Sequence, residues 1–267
     1  PQGVNISKPD SSKKPEGLDW DLWVGPEKNN GYIPGLHAFD WRGYWDYGTG
    51  SLGDMGCHLM DVPIKALGLY DPYSVEASIS RQPYVRSYTP ADVSNSAVPA
   101  SSIVTYRFNP SKLNDSKVKF TWMDGGLRPS QPDQIKEDIG LGGILIYGEK
   151  GIISCNDYGT RAKLYINGEL VEKGQFDGIP ENSFNHYSSW VEAMVDGYGS
   201  VKHKNLNSGF DVAGPISEVV LLGNVAVRSG LLKRSPRSNV FIGRKRLDYD
   251  SKNMVITNFT QANQFLT

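Results

Sequence analysis

What this chain has little of narrows it first. Its two cysteines, Cys57 and Cys155, are too few for a secreted disulfide scaffold. They lack the C-x-x-C spacing of a zinc or redox site, so free, buried thiols and no metal centre are expected. Positive and negative charges nearly cancel, 28 Lys and Arg against 29 Asp and Glu, for a formal net charge of −1. Electrostatics therefore give no reason to expect nucleic acid or an anionic membrane as partner. No uninterrupted apolar run approaches the ~20 residues that cross a bilayer. Walker-type G-x-x-x-x-G-K-[ST] spacing is missing as well, and Gly140-Leu141-Gly142-Gly143 is followed by no third glycine in register.

What remains is the composition of a soluble globular protein, 39% hydrophobic and 21% charged over 267 residues. A chain of this length buries roughly 70–75% of its unfolded surface and needs no staple. It opens PQGVNISKPDSSKKPEG, polar and without hydrophobic period, so residues 1–16 are expected to be a linker or surface arm. The arm suggests an upstream portion, which would also set the compartment: cytoplasmic by default, periplasmic where that region carries an export signal.

Residues 17–47 are dense in aromatics, and five of the six tryptophans are Trp20, Trp23, Trp41, Trp45 and Trp122. Such rings form core or pocket walls. From Ser51 to Leu69 the pattern turns helical: Ser51 and Asp54 have capping-box spacing, and Leu59, Val62, Ala66 and Leu69 recur at three- and four-residue steps. The period then changes to two. Segments 74–82, 101–109, 117–124, 143–149, 150–154 and 161–168 read as consecutive strands, hence an antiparallel sheet. Helices are expected over 183–197 and 211–230, the second with a broad apolar stripe, then a strand near 245–249 and a short helix near 259–266. The fold class expected is α+β: one large, open, mainly antiparallel sheet covered on one face by helices, in a single domain over residues 17–267.

The stretch GTGSLGDMGCHLMD, residues 48–61, has two readings. Gly48-x-Gly50-x-x-Gly53 has the spacing of a dinucleotide fingerprint, but WRGYWDY before it is no buried parallel strand and an antiparallel run follows. Glu76, at a tolerable distance for a ribose-binding acid, alternates as a solvent-facing strand residue. The other reading is acid–base: Asp54 and His58 stand at i and i+4 with Asp61 three further on, one helix face carrying an imidazole and its carboxylate. Asp54 alone is equally explained as a cap, and glycines at 50, 53 and 56 leave room for backbone or ligand. Cys57 points away from His58 and is expected to be buried. Further binding candidates are His37, Arg42 and Trp45 in the lead, and His186 with Trp190 at i, i+4. Each has a structural alternative: an ion pair for Arg42, ordinary aromatic packing for the others.

These residues resemble a known signature. GTGSLGDMGCHLMD is similar to the G-G-x-L-x-D-x-G-x-H-x-x-D motif in the C-terminal domain of the Gfo/Idh/MocA oxidoreductases. GLDWDLWVGP (17–26), WRGYW (41–45), KFTWMDGGLRP (119–129), GGILIYGEKG (142–151), FDVAGPISEVVLLGNVAVRSG (210–230) and LDYDSKNMVITN (247–258) resemble further blocks of one bacterial branch. The resemblance implies a substrate-binding α+β domain, resembling that of dihydrodipicolinate reductase. Its partners would be an N-terminal Rossmann domain holding NAD or NADP, a small sugar or cyclitol substrate, and further copies of the chain through the sheet face. It carries the proton-transfer role to His58, a partner or substrate-contact role to Asp54, and a structural role to Asp61. The family's E-K-P motif, which holds its catalytic Lys, does not occur here, so this chain alone is expected to bind no dinucleotide and to be inactive. An NAD-dependent glycosidase of the same superfamily and a non-catalytic sugar-binding or oligomerisation module are the alternatives.

Overall fold

A computed structural model describes residues 9–80, 97–171, 185–238 and 240–266. Residues 1–8 of the expected arm, and the expected strand and helix ends at 81–82 and 183–184, lie outside the described residues. In chain order the regular elements are α1 (Trp20–Val24), α2 (Gly50–Leu67), β1 (Pro72–Ile79), β2 (Ser102–Phe108) and β3 (Val118–Met123). They continue with β4 (Ile144–Tyr147), β5 (Gly151–Cys155), β6 (Lys163–Ile166), β7 (Glu169–Leu170), α3 (His186–Asp196) and α4 (Val201–Lys204). The last are α5 (Phe210–Gly230), β8 (Leu247–Asp250) and β9 (Val255–Ile256), followed by a 3-10 turn over Thr260–Phe265. The α+β class and antiparallel pairing are as expected.

The strands form two sheets, β3-β2-β1-β8-β9 and β4-β5-β6-β7, where one large sheet was expected. The reason lies in DGGLRPSQPD, residues 124–133. Two glycines at positive φ, Gly125 and Gly126, and two prolines that cannot donate to a ladder interrupt the run between β3 and β4. The chain correspondingly divides into two compact units, residues 1–130 with 219–267, and residues 131–218.

In the first unit, strand alternation sorts the sheet into an apolar and a polar face. Val75 lies opposite Tyr106 and Leu247, and Tyr106 opposite Phe120. Val75, Val104, Tyr106, Phe108 and Leu247 are essentially inaccessible, so the core sits on this face. Helix α2 turns Leu52, Gly56, Met60, Pro63 and Ile64 inward at helical spacing, and α5 contributes Val219, Val220, Leu222 and Val225–Val227. The Tyr106 hydroxyl donates to the Val220 carbonyl at 3.5 Å. Helix α5 is by length and composition apolar enough to cross a bilayer, although polar residues interrupt its apolar run. Its buried residues pack against sheet and α2 in this unit, as a core helix does.

The polar face holds a correction. Glu76 is not solvent-facing: it is 8% exposed, its two oxygens accepting from Arg107 at 2.6 Å and Arg244 at 2.9 Å. These guanidinium contacts outweigh the penalty of burial and hold its carboxyl at a pKa of about 2. Period-two alternation places Glu76 opposite the helices, but a carboxylate held between two guanidinium groups can be buried there.

The second unit is built on its own small core of Ile135, Ile152 and Tyr165. Asn167 and Gly168, both at positive φ, form the two-residue turn joining β6 to β7, as Asn-Gly does in hairpins. Helix α3 is capped by Asn185, whose side-chain oxygen accepts from the Tyr187 and Ser188 amides.

Candidate active site on helix α2

The lead before α2 is a small aromatic core. Asp19 caps α1, accepting from the Leu22 amide at 3.0 Å. Trp20, Val24, Tyr32, Leu36 and Tyr44 are buried together, with Trp23, Trp41 and Tyr47 packed around them. A 3-10 turn over Asp40–Gly43 then delivers Arg42 toward the start of α2.

The helix start expected at Ser51 lies earlier in the chain. Helix α2 begins at Gly50, and Thr49 at its N-cap makes no side-chain cap bond. Asp54 pairs with Arg42, Oδ2 to Nε at 3.6 Å, an ion-pair distance longer than a hydrogen bond. The Arg42 guanidinium lies 4.4 Å from the Phe39 ring centroid and 4.6 Å from that of Trp41, and its Nη1 donates to the Phe39 carbonyl at 3.2 Å. The ring faces hold the cation in one orientation. His58, one turn along α2, is exposed like Asp54 and shares its face. Asp61 pairs with Lys65 at 3.0 Å.

The space beside the glycines with fingerprint-like spacing is filled by the protein itself. A Cβ on Gly48 would stand 2.6 Å from the Arg42 backbone, so only glycine lets the turn fold back there. Gly50 adopts φ +67° against Val98, and Gly56 faces Val220 of α5. A 3-10 turn, not a buried parallel strand, precedes them. The residues here do not fit a dinucleotide pyrophosphate.

The other candidates fall elsewhere. Trp45 stacks under Arg228 of α5 at 5.4 Å, and Arg228 also covers Phe265 at 4.5 Å, so Trp45 ties the lead to α5. His37 is exposed and edge-on to Trp23 at 6.2 Å. His186 and Trp190 lie one turn apart on α3 of the second unit, both exposed, with His186 edge-on to Tyr187. Cys57 is exposed rather than buried, and both cysteines are free. Its thiol turns back on the Gly53 carbonyl at 3.9 Å. Partial burial, then the charges of Asp61 and Asp54, push it above the ordinary thiol range.

Sequence reasoning missed a cleft of about 400 Å³ within the lead, walled by Trp23, Trp41 and Tyr47 and bearing Glu27 and Asp46. The signal available was the density of aromatics over residues 17–47.

A model of the oxidoreductase family's C-terminal alpha/beta domain, that of the Gfo/Idh/MocA proteins, matches residues 4–85. Over residues 4–85 the chain is similar to the C-terminal domain of the Gfo/Idh/MocA oxidoreductases. The matched segment contains the whole aromatic lead, the Arg42–Asp54 pair, α2 with His58, and β1. The blocks beyond residue 85 that resemble the family lie outside the match. No curated protein matches the chain. The family is one of oxidoreductases that generally use NAD(P).

Proposed function

We propose that this chain is the substrate-binding domain of an NAD(P)-dependent oxidoreductase acting on a hydroxyl or carbonyl of a sugar or cyclitol, with His58 as the proton-transfer residue. The observation that carries this reading is the state of Asp54. Its carboxylate is held against Arg42, one helical turn from His58 on the same exposed face. A carboxylate so placed orients an imidazole and stabilises its cation, as proton transfer near neutral pH requires.

In the forward direction His58 takes the proton from the substrate hydroxyl as its carbon is oxidised, and in the reverse direction returns it to the carbonyl oxygen. NAD or NADP, held by the N-terminal Rossmann domain that the similarity over residues 4–85 suggests, would supply the redox chemistry. Residues of this chain bind and orient the sugar and handle the proton. Proton transfer of this kind contributes ~10²–10⁴ in rate. In the complete enzyme, His58→Ala is therefore expected to lower kcat by that factor with dinucleotide affinity unchanged. Equal turnover in the variant removes His58 from the mechanism.

A further inference from the structure

The aromatic cleft has the chemistry of a binding site and no part in the proton transfer. Its walls combine two kinds of group. Trp23 is backed by Trp20, stacked at 4.6 Å with the planes 8° apart, and meets Tyr47 at 5.6 Å with the rings tilted by 59°. Trp41 completes the wall. Glu27 and Asp46 are exposed at its edge, and as carboxylates they only accept hydrogen bonds. Burial, and then the charges of Asp46 and Glu27, push the Tyr47 phenol up, so its O–H remains a donor.

Flat apolar faces beside acceptor-only carboxylates suit a ligand with one apolar face and several hydroxyl donors at its rim. A pyranose ring is such a ligand: its C–H face lies on an aromatic ring while vicinal hydroxyls donate to a carboxylate. A cleft of about 400 Å³ falls in the range of about 300–1,000 Å³ found for small-molecule sites. The pairing of Trp23 with Trp20 fixes the platform before the ligand arrives, which limits the ordering cost of binding.

The cleft is also next to the acid–base face. Trp41 is both a wall of the cleft and one of the rings that the Arg42 guanidinium covers, and the same guanidinium meets Asp54. One side chain thus separates the cleft from the carboxylate beside His58. We propose that the cleft binds a second pyranose ring of a glycoside whose other ring reaches His58, so that the substrate is a disaccharide or larger glycoside and not a free monosaccharide. This rests on the oxidoreductase reading for what happens at His58; the cleft's own ligand is argued from its walls alone.

The test is direct binding to the 267-residue chain, by saturation-transfer NMR and tryptophan fluorescence. The probes are α- and β-linked disaccharides of glucose, galactose and N-acetylglucosamine, the three monosaccharides, and tetramethylammonium. At least one disaccharide is expected to bind at least tenfold more tightly than its monosaccharides. Glu27→Gln and Asp46→Asn, both at exposed positions, are each expected to weaken it about tenfold with an unchanged melting temperature. Binding of none of the disaccharides, binding indifferent to both variants, or binding of tetramethylammonium alone overturns the proposal. Its failure is separable from that of the proposed function. A complete enzyme that turns over monosaccharides through His58 while the chain ignores disaccharides refutes only the cleft. Disaccharide binding without His58-dependent turnover refutes only the oxidoreductase reading.

Discussion

Lowering the pH should remove a defined part of the first unit's stability through Glu76. Its carboxyl has an ordinary pKa of 4.5 and is held at about 2 in the folded chain by Arg244 and Arg107. Because the folded value lies below the unfolded one, the stabilisation is complete above about pH 4.5 and is lost as pH falls toward 2. Lowering a carboxyl's pKa by one favours its ionised form by about 1.4 kcal/mol, so holding Glu76 at about 2 is worth roughly 3 kcal/mol at neutral pH. That is an upper figure, because Arg244 is 60% exposed and water screens its contribution.

Glu76→Gln removes the titration and leaves two guanidinium groups without their anion, a change that costs about 3–5 kcal/mol when an ion pair is buried. A loss of roughly 3 kcal/mol lowers the melting temperature of a unit this size by roughly 6–12 °C. Five of the six tryptophans lie in the first unit, so their fluorescence follows its unfolding. Urea melts of wild type and Glu76→Gln between pH 2 and pH 7 should show a wide gap at pH 7 that closes as the pH approaches 2. A gap that stays constant over that range would refute the assignment of the stabilisation to the ionised carboxylate.

Two further outcomes follow from the start of α2. Cys57 is exposed, yet its thiolate is disfavoured by burial and by Asp61 and Asp54. A disulfide reagent should modify it more slowly than a free thiol at pH 7 and faster as pH rises, with Cys57→Ser abolishing that phase. Equal rates at pH 7 contradict this environment. Gly48→Ala places a Cβ 2.6 Å from the Arg42 backbone and should cost about 1–3 kcal/mol, as overpacking does. Chemical denaturation reads this loss, and a neutral substitution would mean that the lead does not fold back on Arg42.

Much of the fold was legible because local patterns decide it. The alternation in SIVTYRF becomes β2, whose Ile103, Thr105 and Arg107 face away from the core. The apolar steps of α2 and α5 mark the faces that cover Tyr106. What was not legible depended on partners distant in sequence. Glu76 could not be placed inside without knowing that Arg244, 168 residues later, would reach it. Asp54 has the spacing of a cap, and only the turn that brings Arg42 beside it reveals its ion pair. The glycines of residues 48–56 suggested room for a ligand, whereas Arg42, Val98 and Val220 fill that room. The aromatic cleft was visible in the sequence only as composition, since its walls come from both α1 and the turn before α2. That Asp54 and His58 share one face of α2 was legible, because i and i+4 on a helix need no tertiary information.

The pairing of β1 with β8, Ser74 opposite Asp248 and Val75 opposite Leu247, has a consequence for synthesis. A ribosome adding about 5–20 residues per second needs roughly 9–35 s to pass from the first strand of that pair to the second. Until then one edge of the sheet's middle strand has no neighbour from its own chain. An unfilled edge of that kind is a template for strands of other nascent chains. Residues 247–250 are therefore what fills that edge, and conditions that stall translation between residues 131 and 246 should favour aggregation over folding.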